Sequence, residues 1–149
     1  MKAVKTLKGL GVVFGLLVAG FASASLVRPQ RANLNTDPSH TIRANFASSN
    51  VGPVLDRSCG ECHSNTTSTR WYTKVSPFSL LIARGAREGR MAVNFSEWTA
   101  YSPEQQRAFL VASCLDARSA KMPMPAYLRF RPDAVLSSRD IDTICGASQ

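Results

Sequence analysis

The sequence predicts a small all-α domain of about 100 residues, preceded by an apolar N-terminal helix and an extended arm. Three observations lead there. From residue 48 onward, apolar side chains recur at helical spacing. Helix-start signatures stand at Ser76-Pro77, at Ser102-Pro103-Glu104-Gln105 and at Ser137-Ser138. No alternating apolar stretch is long enough to build a sheet.

Taken in order, the first element is Lys2, Lys5 and Lys8 followed by the apolar and glycine run Leu10 to Phe21, with Ala22-Ser23-Ala24 behind it. A basic start, an apolar centre and a small-x-small site are the parts of an export segment. The stretch Gly9 to Val27 has 19 residues, close to the number that spans a bilayer. Residues 1–27 therefore read either as a cleaved signal peptide or as an N-terminal membrane anchor. Both readings put the rest of the chain outside the cytoplasm, with the lysines inside. Residues 28–47 carry two prolines and three asparagines with little apolar periodicity, and read as a linker or extended arm.

The domain itself, residues 48–149, begins with a helix that Asn50 can cap. Val51, Val54, Leu55, Cys59 and Cys62 share one face of it. Pro53 is tolerated in its first turn. Proline at the first position starts the second helix, with Phe78, Leu81 and Ile82 as its apolar stripe and Gly85 and Gly89 weakening its end. The third opens on a capping box and buries Ala108, Val111, Ala112 and Leu115. Pro123 and Pro125 keep Ala120 to Tyr127 out of a helix. A last short helix carries Ile141, Ile144 and Cys145 on one side and ends at Gly146.

Formal net charge is +8; three of those charges are Lys2, Lys5 and Lys8, which leaves +5 for the remainder. That modest excess suits an acidic protein partner or an anionic lipid, or serves only solubility. No basic run with interleaved aromatics is present, so nucleic acid is not an expected partner.

The stretch Arg57 to Asn65, "RSCGECHSN", holds the chemistry. A thioredoxin-type site wants its C-x-x-C beside a βαβ unit, and no strand is expected here. Structural zinc needs two further ligands at suitable spacing, and the only other histidine is the distant His40. A plain disulfide leaves the histidine after Cys62 unexplained. C-x-x-C-H fits the attachment of a c-type haem. Each thiol forms a thioether with one vinyl group, and His63 becomes the proximal ligand of the iron. The expected cofactor is one covalently bound haem c per chain, and the export segment supports it independently.

Methionine is the usual sixth ligand beside such a histidine. Met122-Pro123-Met124-Pro125 presents two thioethers in a stiff segment between helices. Met122 is the first choice, with Met124, Met91 and a bis-histidine arrangement through His40 behind it. Trp71, Tyr72, Phe95, Trp98 and Tyr127 are expected to line the haem pocket or to fill the core. Arg84, Arg87 and Arg90 form a solvated helix face or pair with haem propionates. Cys114 and Cys145 remain. In an oxidising compartment they predict a disulfide, the other reading being two buried thiols. Closing that loop stabilises by about 3–4 kcal/mol.

The motifs "CGECHSN" (Cys59 to Asn65), "WY" (Trp71-Tyr72), "VSPFS" (Val75 to Ser79), "EGR" (Glu88 to Arg90), "NFSEW" (Asn94 to Trp98) and "MPMPAY…RPDAVLS" (Met122 to Ser137) occur in that order. In this series the chain resembles the bacterial haem-binding-domain family of small mono-haem, cytochrome-c-like proteins. "LVRPQRAN", Leu26 to Asn33, is similar to the segment that follows the N-terminal hydrophobic segment there. The resemblance implies a cytochrome-c-like helical fold around one haem held by Cys59, Cys62 and His63, with the methionine of Met122-Pro123 as distal ligand. One departure stands out: Arg131-Pro132 occupies a place where the resemblance leads one to expect histidine. An arginine there can pair with a propionate instead.

The expected function is single-electron transfer by an exported, periplasmic cytochrome rather than enzymatic turnover, with a redox partner that presents an acidic face. The alternative is a haem-based gas or redox sensor, or a small peroxidase, with a labile sixth ligand.

Overall fold

The computed structural model describes residues 2–26, 36–67, 70–76 and 78–149. Among these residues there are seven α-helices and no strand. They are α1 (Lys2–Leu26), α2 (Ile42–Asn45), α3 (Val51–His63), α4 (Phe78–Ala92), α5 (Pro103–Arg118), α6 (Pro125–Leu128) and α7 (Ser138–Gly146). Short 3₁₀ turns join them at Pro38–His40, Trp71–Lys74, Phe95–Ala100 and Pro132–Ala134.

Two units make up the chain, and the division falls inside α4. The first contains 1–30 and 69–84, the second 31–68 and 85–149. Segment 69–84, which the motif order places in the haem domain, thus groups with the N-terminal helix. In this first unit the α1 side chains from Val12 to Phe21 are exposed. Among the described residues no helix is long and apolar enough to cross a membrane. Trp71 and Tyr72 meet edge-on, with ring centroids 5.8 Å apart. Phe78 and Leu81, expected to be a buried stripe of α4, are exposed; Leu81 keeps 64% of its surface.

The second unit holds the hydrophobic core. Leu55 and Ile144 are fully buried where α3 meets α7, and Trp98 stands beside them at 1% exposure. The Trp98 ring is flanked by Phe46, Phe95 and Tyr101, each 6.2–6.3 Å away, and Tyr101 stacks edge-on against Phe109 at 4.9 Å. Geometry of this kind adds to the area term that drives burial.

Four expectations change here. The arm is not extended throughout: residues 28–35 lie outside the described residues, but 36–47 form a turn and α2. Thr41 caps α2 by accepting from the Ala44 amide, and Ile42 enters the core at 2% exposure. Asn50 occupies the cap position of α3 without a side-chain bond to it. On α5 the capping box of Ser102 and Gln105 forms as expected, yet the buried residues are Leu110, Cys114 and Ala117, while Val111 and Leu115 face outward. Two overlapping apolar stripes run along this helix, and packing on α7 selects the one that carries Cys114. The sulfurs of Cys114 and Cys145 are joined at 1.96 Å across that α5–α7 contact. Lys121 to Met124 is non-helical, but Pro125 then opens the single turn of α6, so the prolines delay a helix rather than exclude one.

Candidate haem site

Cys59, Cys62 and His63 sit on the last turns of α3. Helical spacing puts the three on neighbouring positions of one surface, and all three line a cavity of 190 Å³. Ser58, Gly85, Glu88, Gly89, Met122, Met124 and Tyr127 are among the other residues around it. A second cavity of 400 Å³ shares Cys59, His63, Ala92 and Met122 with the first and continues past Phe95, Phe109 and Ile144 into the core. Together they fall in the range of about 300–1,000 Å³ typical of small-molecule sites.

The approach of α4 to α3 depends on glycine. A Cβ on Gly89 would stand 2.6 Å from the Cys62 carbonyl oxygen and 2.9 Å from its carbon. Any side chain there would push the two backbones apart. One turn earlier, a Cβ on Gly85 would stand 4.0 Å from the Cys62 sulfur. The two glycines therefore leave the cavity wall beside Cys62 open, rather than weakening the end of α4.

His63 is held from behind. Its Nδ1 lies 3.3 Å from the Val93 carbonyl oxygen. A carbonyl only accepts, so Nδ1 carries the hydrogen, and the neutral ring keeps its lone pair on Nε2. Burial pushes the imidazole below its ordinary value, against the pull of the backbone carbonyls of Val93 and Gly89. A neutral imidazole with one nitrogen anchored and the other available is the form in which histidine binds iron. The chain beyond it is equally fixed. The Asn65 amide donates to Ser96 Oγ at 3.0 Å, Asn65 Nδ2 donates to Glu97 at 3.1 Å, and Asn94 Nδ2 donates to Asn65 Oδ1 at 2.7 Å. Arg90 donates through Nε to the Ser64 carbonyl at 2.6 Å and through its guanidinium to Thr67 at 3.0 Å. Thus Arg90 is neither a solvated charge nor reserved for a propionate; it ties α4 to the chain after the histidine. The motifs "HSN", "EGR" and "NFSE" converge in this one network.

The two thiols are free of one another. Burial is the main reason the Cys59 thiol is pushed up to about 12, with Cys62 adding to it; burial, then Glu61, also raises Cys62. A redox C-x-x-C site works by the opposite shift, a stabilised thiolate. Among the described residues no group of three His, Cys, Asp or Glu side chains is placed to hold a metal ion. Neither the thioredoxin-type nor the zinc reading gains support.

Both Met122 and Met124 line the first cavity, but only Met122 lines both, and Met124 keeps 43% of its surface exposed. Met91 is 77% exposed and His40 is exposed; neither lines either of these two cavities. Tyr127 lines the first cavity and Phe95 the second. Trp98 belongs to the core. Trp71, exposed, and Tyr72, buried, belong to the first unit and line neither cavity.

Arg131 is the largest surprise. It is 8% exposed and forms an ion pair with Glu61. It also grips Asp133 through Nε and its terminal nitrogen at 3.0 and 2.9 Å. The Tyr127 hydroxyl donates to the same Glu61 carboxylate at 2.7 Å. The guanidinium is thus committed to two protein carboxylates rather than held for a propionate. Glu61, between the two cysteines, drew no attention in the sequence, because a lone glutamate is normally solvated.

A haem fits what these residues offer. Two thiols and an imidazole share one wall, a thioether reaches both cavities, and the lining is predominantly apolar. Ser58 Oγ, on the wall of the first cavity, is buried without a hydrogen-bond partner, which is rare unless a ligand or water meets the group. Comparison with curated proteins found no match, and neither did comparison with solved structures. Residues 19–147 match the profile of the family described as Haem-binding domain. That span takes in α3, the cavity walls and every motif of the hydrogen-bonded network behind His63. The chain belongs to the haem-binding domain family, and haem is the cofactor that membership assigns to it.

Proposed function

We propose that the protein is an exported mono-haem c-type cytochrome that transfers single electrons. The observation that carries this reading is the meeting of Cys59, His63 and Met122 at both cavities, with Cys62 completing the C-x-x-C-H set. Cys59 and Cys62 would hold the haem through thioethers, and His63 nitrogen and Met122 sulfur would hold its iron. When bound, the haem supplies a one-electron couple whose potential a methionine ligand raises. The chain's own contribution is positional: Val93 and Gly89 fix the imidazole, Gly85 and Gly89 leave room beside Cys62, and the apolar lining excludes water. His63 and Met122 together would hold the iron without leaving a place for a substrate, which favours a carrier over an enzyme.

Residues 1–27 direct export to the periplasm, either as a cleaved signal or as a retained anchor; the mass of the mature chain distinguishes the two. The positive charge left after the export segment favours a redox partner with an acidic docking face, and raising the ionic strength should slow the encounter.

Carbon monoxide tests the ligand set. The reduced protein is expected to resist the gas, and Met122→Ala to bind it rapidly. Rapid binding by the unmodified protein would favour a sensor or peroxidase with an open position. An unchanged Met122→Ala spectrum together with an altered Met124→Ala spectrum would move the distal ligand two residues along.

A further inference from the structure

The segment that carries Met122 is fixed at both ends, and the two fixings differ. On its N-terminal side, the amides of Lys121 and Met122 donate to the Asp116 carbonyl at 3.0 and 3.2 Å, so the segment hangs from the last turn of α5. On its C-terminal side, the amides of Tyr127 and Leu128 donate to the Met124 carbonyl at 2.9 and 3.2 Å, which makes Met124 to Leu128 one rigid turn. That turn is tied down by a side chain. The Tyr127 hydroxyl donates to Glu61 at 2.7 Å, and Arg131, whose own amide donates to the Tyr127 carbonyl at 3.1 Å, pairs with the same carboxylate. Glu61 lies on α3 between Cys59 and Cys62 and its side chain is 6% exposed. One turn earlier, Arg57 donates to the carbonyls of Asp133 and Val135 at 2.7 and 3.2 Å, fastening the chain after Arg131 to the same helix.

We propose that Glu61, acting through Tyr127 and Arg131, is the positioning residue for the methionine ligand. The inference rests on the reading of Met122 as that ligand. A thioether is a weak ligand to iron, so its occupancy depends on how closely the chain holds it in place. A tether to bulk protein would let the two cavity walls drift independently. A tether to the residue between the attachment cysteines refers the methionine segment directly to the helix that carries the fifth ligand. The charges suit that role. A carboxylate held by a phenol and a guanidinium has one preferred position, and Arg131 is itself fixed by its fork onto Asp133.

The test uses the haem-loaded protein and measures the rate of carbon monoxide binding after reduction, in the unmodified protein, Tyr127→Phe, Glu61→Gln, Met122→Ala and Met122→Ala with Tyr127→Phe. Tyr127→Phe keeps the ring on the cavity wall and removes only the bond to Glu61. It is expected to speed binding at least about tenfold, as loss of an outer partner does at other metal sites. The second change should add nothing once Met122 is gone, because both act on the same bond. A haem-independent readout accompanies it: amide hydrogen exchange across 122–128 should quicken in Tyr127→Phe while α3 stays protected. If Met122→Ala itself leaves the rate unchanged, the ligand reading fails. If Met122→Ala speeds binding but Tyr127→Phe and Glu61→Gln do not, the ligand reading stands and the positioning role is wrong. The role is equally wrong if Tyr127→Phe speeds binding as much without Met122 as with it, since it would then act on the cavity alone.

Discussion

The two walls of the cavity are built on different physics. The α3 wall is one helix, and its three chemical groups lie within five residues, Cys59 to His63. Helical geometry alone brings them to one surface. The opposing contribution, Met122 to Tyr127, is a short irregular stretch that runs into the single turn of α6 and contains two prolines. It takes its position from contacts made across the sequence: to Asp116 on α5 and, over 66 residues, from Tyr127 to Glu61 on α3. Local order therefore suffices for the proposed attachment half of the site, whereas the proposed methionine ligand depends on tertiary structure. Damage to the first should be all or nothing; damage to the second should be graded.

The largest effect belongs to the α3 wall. Replacing Cys59 and Cys62 together with alanine is expected to remove covalent haem entirely, read as loss of haem stain on a denaturing gel. Residual stain would break the comparison at its first term. Next comes Arg131→Gln on the other wall. Taking the cation from a buried ion pair costs about 3–5 kcal/mol, measurable as a shift of the denaturation midpoint, while haem stays attached. If attachment is lost instead, the two walls are not separable. Gly89→Ala probes the α3 wall from behind. With the added methyl 2.6 Å from the Cys62 carbonyl oxygen, overpacking should cost about 1–3 kcal/mol and lower the yield of attached haem. The same change at Gly85, where the neighbour is 4.0 Å away, should be far milder.

The smallest effect is at the start of α7, where Ser137 and Asp140 line neither cavity. Ser137 and Asp140 form a capping box, and the Ser137 amide, with further help from its hydroxyl and from Arg57, holds the Asp140 carboxyl below the usual carboxylate range. A depressed value means that its stabilisation is full above the ordinary value of about 3.8 and is lost as the pH falls through the lowered folded one. Asp140→Asn should flatten that acid limb of the stability profile. A profile that keeps its slope would assign the acid sensitivity to another carboxylate.

What the sequence disclosed follows the same division. The capping box at Ser102, the helix start at Ser137 and the all-helical class rest on residues close together in the chain, and each is present as expected. The buried face of α5 was not decidable locally: Val111 and Leu115 have as good a helical period as Leu110 and Cys114, and contact with α7 makes the choice. Ile42 gave no signal because a single apolar residue in a polar stretch has no period. Glu61 and Arg131 were unreadable for a related reason. Each is a residue type that normally meets water, and its burial rests on an ion pair with a partner 70 positions away. Asn65 was visible only as a motif residue and Arg90 as a solvated or propionate-pairing charge; in the structure both hold the chain that follows His63.

The central claim is a haem joined to α3 by two thioethers. Intact mass measured under denaturing conditions, on protein exported by a host that matures c-type cytochromes, tests it most directly. The account predicts the mass of the processed or full chain plus one haem, retained through denaturation. A mass equal to the bare polypeptide, with any haem lost on unfolding, would contradict it.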